Sequence, residues 1–439
     1  MIFSPLMKFL GIKSKLPPNA QSLVQKFLFL SSLQSSFFFI SGTFYVLFVI
    51  DKVGFIDLGI LVGISFLVQA LLDYPSGSLG DWIGQRWILA IAFMSYGLSY
   101  GLLAFFADSF GDLIIVYILA AFASSQESGA LQSWFDNNYK FVSNKIDSNR
   151  TIYQIFQGKI SMFIGILWAF TILTGGLLAT LFFRETVFAI QSFGMFVLGA
   201  LSLIYVKDFP GIQKTEKSIR KYFAIISKGL QFTFTRSYVF FFVAGVCLSG
   251  ALWSVWGNMI LFPMYYGYTG SDLGAGIFRF LAWINASITA GKAAEISTKL
   301  EVKKWIPRVE FIVMVGYFGF FAILISFLPF QDSINFVAII LALGVFLLLD
   351  IFANISFILR QRLYLDMIPD EIRNSVYSLV PTLTLIISAP VIIIAGNFIG
   401  IIGASVTLVV LTLVACVAVA LMSLAFHVMP KEMMSIKKG

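Results

Sequence analysis

The sequence predicts an all-α membrane protein, with twelve transmembrane helices in two pseudo-symmetric bundles of six. Three observations carry this. Apolar runs of about twenty residues recur along the chain, the length that crosses a bilayer as a helix. Charged residues make up only 12% of the total against 59% hydrophobic ones, about half the roughly 25% charge of a globular domain. A long polar stretch follows the sixth run and divides the chain into six plus six.

Taken in order, residues 1–24 hold Lys8, Lys13, Lys15 and the Pro17-Pro18 pair, and read as a short cytoplasmic tail without a cleavable signal pattern. Spans are expected at 27–50, 56–74, 87–107, 113–135, 160–182 and 186–206. The polar stretch 207–237 contains seven basic residues and an amphipathic pattern, with Ile219, Phe223, Ile226 and Leu230 on one face. Six further spans are expected at 238–262, 271–291, 309–328, 333–357, 376–396 and 399–427. The domains are therefore a bundle over 1–206, a cytoplasmic linker over 207–237 and a second bundle over 238–439. Transporters are often built from repeats of this kind. Cys247 and Cys416 both fall inside apolar runs and read as small hydrophobic filler.

Orientation comes from lysine and arginine, which stay on the cytoplasmic side in short loops. Of the 30 in the chain, 27 fall in the N-terminal tail, the even-numbered loops and the C-terminal end. Lys52 and Arg184 lie on the other side, and Arg279 lies within a span. Both termini are therefore expected to be cytoplasmic. The net charge of +8 is a topology signal, since its sources are scattered over loops in a way no nucleic-acid surface requires.

The stretch "YPSGSLGDWIGQR" at 74–86 interrupts two apolar runs with proline, glycine, one aspartate and one arginine. Gly77 and Gly84 allow tight turns and close helix approach, and Asp81 is an anion that a helix N-terminus could receive. Gly291 and Glu295 repeat the Gly77–Asp81 spacing at the end of the eighth span. The stretch resembles the signature between helices 2 and 3 of the major facilitator superfamily, matched by Gly77, Leu79, Asp81, Gly84 and Arg86; Gln85 stands where a basic residue is usual. "RQRLYLDMIPDEIRNSVYSL" at 360–379 resembles the segment leading into helix 11 of the drug-exporter-like members, and "SQESGALQSWFDN" at 125–137 is similar to the end of their helix 4. The resemblance implies a conformational latch made by Gly77, Asp81, Gly84, Arg86, Asp136 and Arg373. Asp81 would close against the start of helix 11, and Arg86 would pair with Asp136.

Ionisable groups inside spans cost about 2.5–3.5 kcal/mol on insertion scales and are functional candidates. Three qualify: Glu127, Arg279 and Asp350. Glu127 and Asp350 occupy equivalent spans of the two halves, and Arg279 could either neutralise a carboxylate or meet an anionic solute through its planar fork. Around them Gln34, Gln69, Gln126, Asn258, Asn285 and Asn354 are amides that need partners in hydrocarbon, and Tyr96, Trp168, Trp253 and Trp256 could wall a pocket. His427, the only histidine, reads as an interfacial anchor.

The resemblance implies a secondary transporter for a small organic solute, working by alternating access, with proton-coupled efflux as the sharper expectation. Against an antiporter stand Ser125, where an arginine is usual in helix 4, and "LTGGLL" at 173–178, which has no proline. A facilitative or lipid-type carrier, or a non-transporting receptor on the same fold, stays open as the alternative. An enzyme is not expected: G-x-S-x-G, H-E-x-x-H, C-x-x-C and the phosphate-cradling glycine loop are missing from the sequence. One histidine and two cysteines cannot build the usual zinc sites. The expectation is a monomer in the cell membrane, with no cofactor and no metal.

Overall fold

The computed structural model describes residues 16–143, 146–147, 151–207, 219–368 and 373–430. Regular structure among them is helical throughout. It comprises α1 (Pro18–Phe39), α2 (Tyr45–Ile83), α3 (Gln85–Phe105), α4 (Phe110–Glu127), α5 (Ala130–Ser143), α6 (Thr151–Leu181), α7 (Arg184–Tyr205) and α8 (Ile219–Thr235). There follow α9 (Ser237–Val255), α10 (Leu261–Thr269), α11 (Asp272–Thr298), α12 (Val302–Glu310), α13 (Gly316–Phe327), α14 (Phe336–Met367), α15 (Arg373–Ile402) and α16 (Ala404–His427). Widened π-helical turns at Trp256–Ile260 and Phe311–Val315 join α9 to α10 and α12 to α13.

Eleven helices among the described residues are long and apolar enough to cross a membrane. Their outer faces carry large bare side chains, Phe327 at 81% and Ile401 at 73% exposed, a surface suited to lipid. The first expected span is divided. α1 ends at Phe39, a turn covers 40–44, and the remainder continues into α2, which Gly54 interrupts at φ +76°. The stretch 74–86 is also less of a loop than expected. Helical backbone runs through Gly77 and Asp81 to Ile83, and the turn is confined to Gly84 at φ +95°. The linker's amphipathic segment is the helix α8.

The chain forms two compact units, Met1–Thr43 with Leu71–Lys217, and Phe44–Ala70 with Ser218–Gly439. Residues 44–70, expected in the first bundle, thus pack in the second unit. The reason is small-residue packing against α15. A Cβ on Gly59 would lie 3.0 Å from the Ile392 carbonyl, one on Gly396 would lie 2.7 Å from the Phe55 carbonyl, and one on Gly63 would lie 2.6 Å from Ile393 Cγ1. Backbones this close gain van der Waals contact that lipid cannot match. In the first unit α3 packs on α4 and α7; in the second α9 packs on α15 and α16, and α11 packs on α14. Both cysteines are free, Cys247 buried and Cys416 exposed.

Candidate functional site

In the first unit the site is built around a broken helix. α4 ends at Glu127, Ser128 leaves the helical region, Gly129 takes φ +71° and α5 starts at Ala130. A side chain at Gly129 would pay roughly 1–2 kcal/mol for that left-handed backbone, so the glycine is what permits the break beside the carboxylate. Gln34 of α1 donates from Nε2 to Glu127 Oε1 at 2.5 Å. Ser128 hydrogen-bonds the Asp73 carboxylate. Asp73 was not singled out from the sequence, although it falls within the last turn of the expected span 56–74. Gln126 is buried and turned onto its neighbour Ser125 at 3.2 Å, so it does not join Gln34 and Glu127.

In the second unit the candidates form a polar ladder between α11 and α14. Asn285 donates to Asp350 Oδ2 at 2.9 Å and to the Phe346 carbonyl at 3.4 Å. One turn on, Asn354 donates to the Asp350 carbonyl at 3.0 Å and to Thr289 Oγ1 at 3.4 Å. The i, i+4 spacings of Asn285 with Thr289, and of Phe346, Asp350 and Asn354, place each set on one stripe of its helix. Arg279 of α11 is 7% exposed, with its guanidinium 4.5 Å from the centre of the Phe262 ring. Tyr265 lies within Coulombic reach of both Arg279 and Asp350. Trp256, Tyr317 and Phe346 form a chain of ring contacts at 5.5 and 5.7 Å beside it. Asn258 donates to Ser254 of its own helix at 2.8 Å and stays apart from the ladder.

A further charged group of this unit escaped the sequence reading. Glu310, 2% exposed at the end of α12, lies 3.2 Å from Arg360 Nε, and Ser356 donates to the same glutamate. Arg360 lines a cavity of about 250 Å³ with Trp253, Phe357, Gln361, Tyr364 and Thr384. Glu310 falls at the start of the expected span 309–328 and Arg360 opens the stretch 360–379, and neither was singled out from the sequence.

Of the expected latch, the side chains of Gly77, Asp81 and Arg373 lie outside the described residues. The expected pairing of Arg86 with Asp136 is not what forms. Arg86 is exposed, its guanidinium 5.3 Å over the Trp87 ring. Asp136 instead accepts from Gln132 Nε2 at 3.0 Å and from the Tyr153 hydroxyl. These donors come from its own helix and from α6, and they satisfy the carboxylate without a cation. Burial and Asp136 push the Tyr153 phenol up to about 12, which keeps it protonated and donating. Nearby, buried Asp147 accepts from the Tyr139 hydroxyl at 2.9 Å and from the backbone N–H groups of Ile152 and Tyr153 at 3.0 and 2.9 Å. It caps the start of α6.

Apolar spans, a helix broken beside a carboxylate and amide–carboxylate pairs between helices define a multi-pass membrane protein with polar groups held inside its spans. The sequence matches the major facilitator superfamily over residues 27–389. The chain belongs to that family. No curated protein matches it in sequence. Among solved structures it is similar in fold to the nucleoside transporter NupG, with TM-score 0.71 at 14% identity, covering 94% of this chain and 100% of that one. It is also similar to a bacterial homolog of the human lysosomal transporter Spinster in an inward-facing and occupied conformation, with TM-score 0.68 at 13% identity over 95% of this chain and 98% of that one. The POT family transporter PepTSo likewise gives TM-score 0.68, at 11% identity over 93% and 98%.

Proposed function

We propose that the chain is a secondary transporter that moves a small organic solute by alternating access of two six-helix bundles, 1–206 and 238–439, joined by the linker 207–237, with residues 44–70 of the first packed in the second compact unit. The observation that carries this is the matched placement of two intramembrane carboxylates. Glu127 and Asp350 each accept from an amide of a neighbouring helix within their own unit, Gln34 and Asn285. Carboxylates are expensive in hydrocarbon and persist where a solute or ion pathway needs them. The helix break at Ser128–Gly129 supports the reading, since discontinuous helices form binding sites in secondary transporters.

Glu127 is the proposed coupling residue. Its partner Gln34 is neutral, and a desolvated carboxylate with a neutral partner can exchange a proton without stranding a counter-charge. Export is the proposed direction, resting on the drug-exporter-like segments at 125–137 and 360–379. The solved structures of similar fold include a nucleoside transporter, so a nucleoside belongs in the solute panel. The test is flux of labelled organic solutes in proteoliposomes, with and without a proton gradient. Solute accumulation against its gradient is expected. A panel of charged, neutral and nucleoside solutes that shows neither net flux nor exchange above protein-free liposomes would refute transport.

A further inference from the structure

Arg360 is held by one edge of its fork. Glu310 lies 3.2 Å from Nε, and Glu310 is itself fixed by the Ser356 hydroxyl. A guanidinium carries five N–H donors in a rigid plane. With Nε committed to Glu310, the two terminal nitrogens keep four. Arg360 is 21% exposed, and it lines the cavity of about 250 Å³ in the second unit. The rest of the wall is mostly apolar or aromatic, from Val246, Trp253, Phe357 and Tyr364. Thr384 also lines it, but its hydroxyl is spent on the Val380 carbonyl at 2.8 Å.

We propose that this cavity binds a small organic carboxylate, with the carboxylate on the Arg360 fork and an apolar or aromatic body against Trp253 and Phe357. The inference rests on the transporter reading and names its solute class. Two coplanar oxygens match the guanidinium edge. Glu310 already offsets one charge, so the site suits a monoanion better than a doubly charged phosphate monoester. The volume lies below the 300–1,000 Å³ usual for drug-sized ligands, which suits a body of about one ring.

Benzoate, benzamide and benzylammonium have nearly one size and three charges, and each is titrated by calorimetry into the purified full-length protein. Benzoate is expected to bind at least about ten-fold tighter than the other two, a difference of about 1.4 kcal/mol. Glu310→Gln combined with Arg360→Gln removes both charges and orphans neither; it is expected to lose benzoate affinity by about ten-fold or more, while Glu310→Gln alone retains it. Equal binding of benzamide, or benzoate binding unchanged in the double variant, overturns the site. Should the double variant fail to fold, phenylglyoxal modification of Arg360 in the wild-type protein, read by mass spectrometry, decides. Benzoate is expected to slow it, and an unchanged rate overturns the proposal. Benzoate binding that meets these criteria, with no flux or exchange of any solute of the panel in proteoliposomes, leaves the site standing and refutes the transporter reading instead.

Discussion

Glu127 and Asp350 accept the same kind of hydrogen bond, a side-chain amide one helix away, and this determines what each substitution removes. Glu127→Gln keeps a carbonyl oxygen for Gln34, so the fold is expected to survive with little change in Tm. What it loses is the ability to take up and release a proton. Gradient-driven accumulation should disappear while solute exchange at equal pH persists; undiminished accumulation would exclude coupling at this residue. At Asp350 the informative comparison is structural. Asp350→Asn still accepts from Asn285, whereas Asn285→Leu leaves the half-buried carboxylate without its 2.9 Å donor. Stranding a buried acceptor costs about 1–3 kcal/mol, more for a charged one. Asn285→Leu should therefore lower Tm clearly more than Asp350→Asn, and equal Tm values would show that the ladder contributes nothing to the packing of α11 on α14.

At the scale of elements, two of the four glycines of α6 lie in opposite surroundings. A Cβ on Gly175 would fall 1.6 Å from the Ile40 carbonyl in the turn after α1, while one on Gly158 would meet nothing within 4 Å. Gly158→Ala should be neutral or stabilise by about 0.5–1 kcal/mol, since glycine weakens a helix interior by that amount. Gly175→Ala should displace the 40–44 turn and cost several-fold in folded yield. The pair is read by yield and Tm after purification, and equal behaviour would mean that α6 does not seat on the turn. Asp147→Ala removes the cap of α6 and the partner of Tyr139 together. A cap alone is worth about 1 kcal/mol, and a stranded buried hydroxyl adds to that, so a lower Tm is expected. The spans themselves were legible because hydropathy is local. The breaks were not. Ser41-Gly42 in "FISGTF" at 39–44 is a turn signal, but hydropathy carries one apolar run across it; the turn is seated where Gly175 of α6 admits the Ile40 carbonyl. Glu310 and Arg360 sit fifty positions apart on charged span ends, and spacing cannot reveal that they meet. The amides fared better, because an amide in hydrocarbon needs a partner, although Gln126 and Asn258 found theirs locally.

For the whole molecule, the basic-residue asymmetry expects Gly439 on the cytoplasmic side. A reporter fused there should be active only in the cytoplasm; activity outside the cell would reverse the proposed topology. The chain's largest departure from simple halves is the placement of residues 44–70 with the second unit. This has a consequence for synthesis. Gly59 and Gly63 leave the ribosome roughly three hundred residues before their partners Ile392, Ile393 and Gly396. Until α15 inserts, that bare-backbone stripe must wait in lipid with nothing to seat on. Non-local contacts of this kind are the slow ones to form, and half-made membrane bundles with unmatched faces are open to wrong partners. The arrival of α15 therefore does more than extend the second unit: it completes packing that α2 left pending. A nascent chain stalled before α15 would be a natural substrate for membrane quality control.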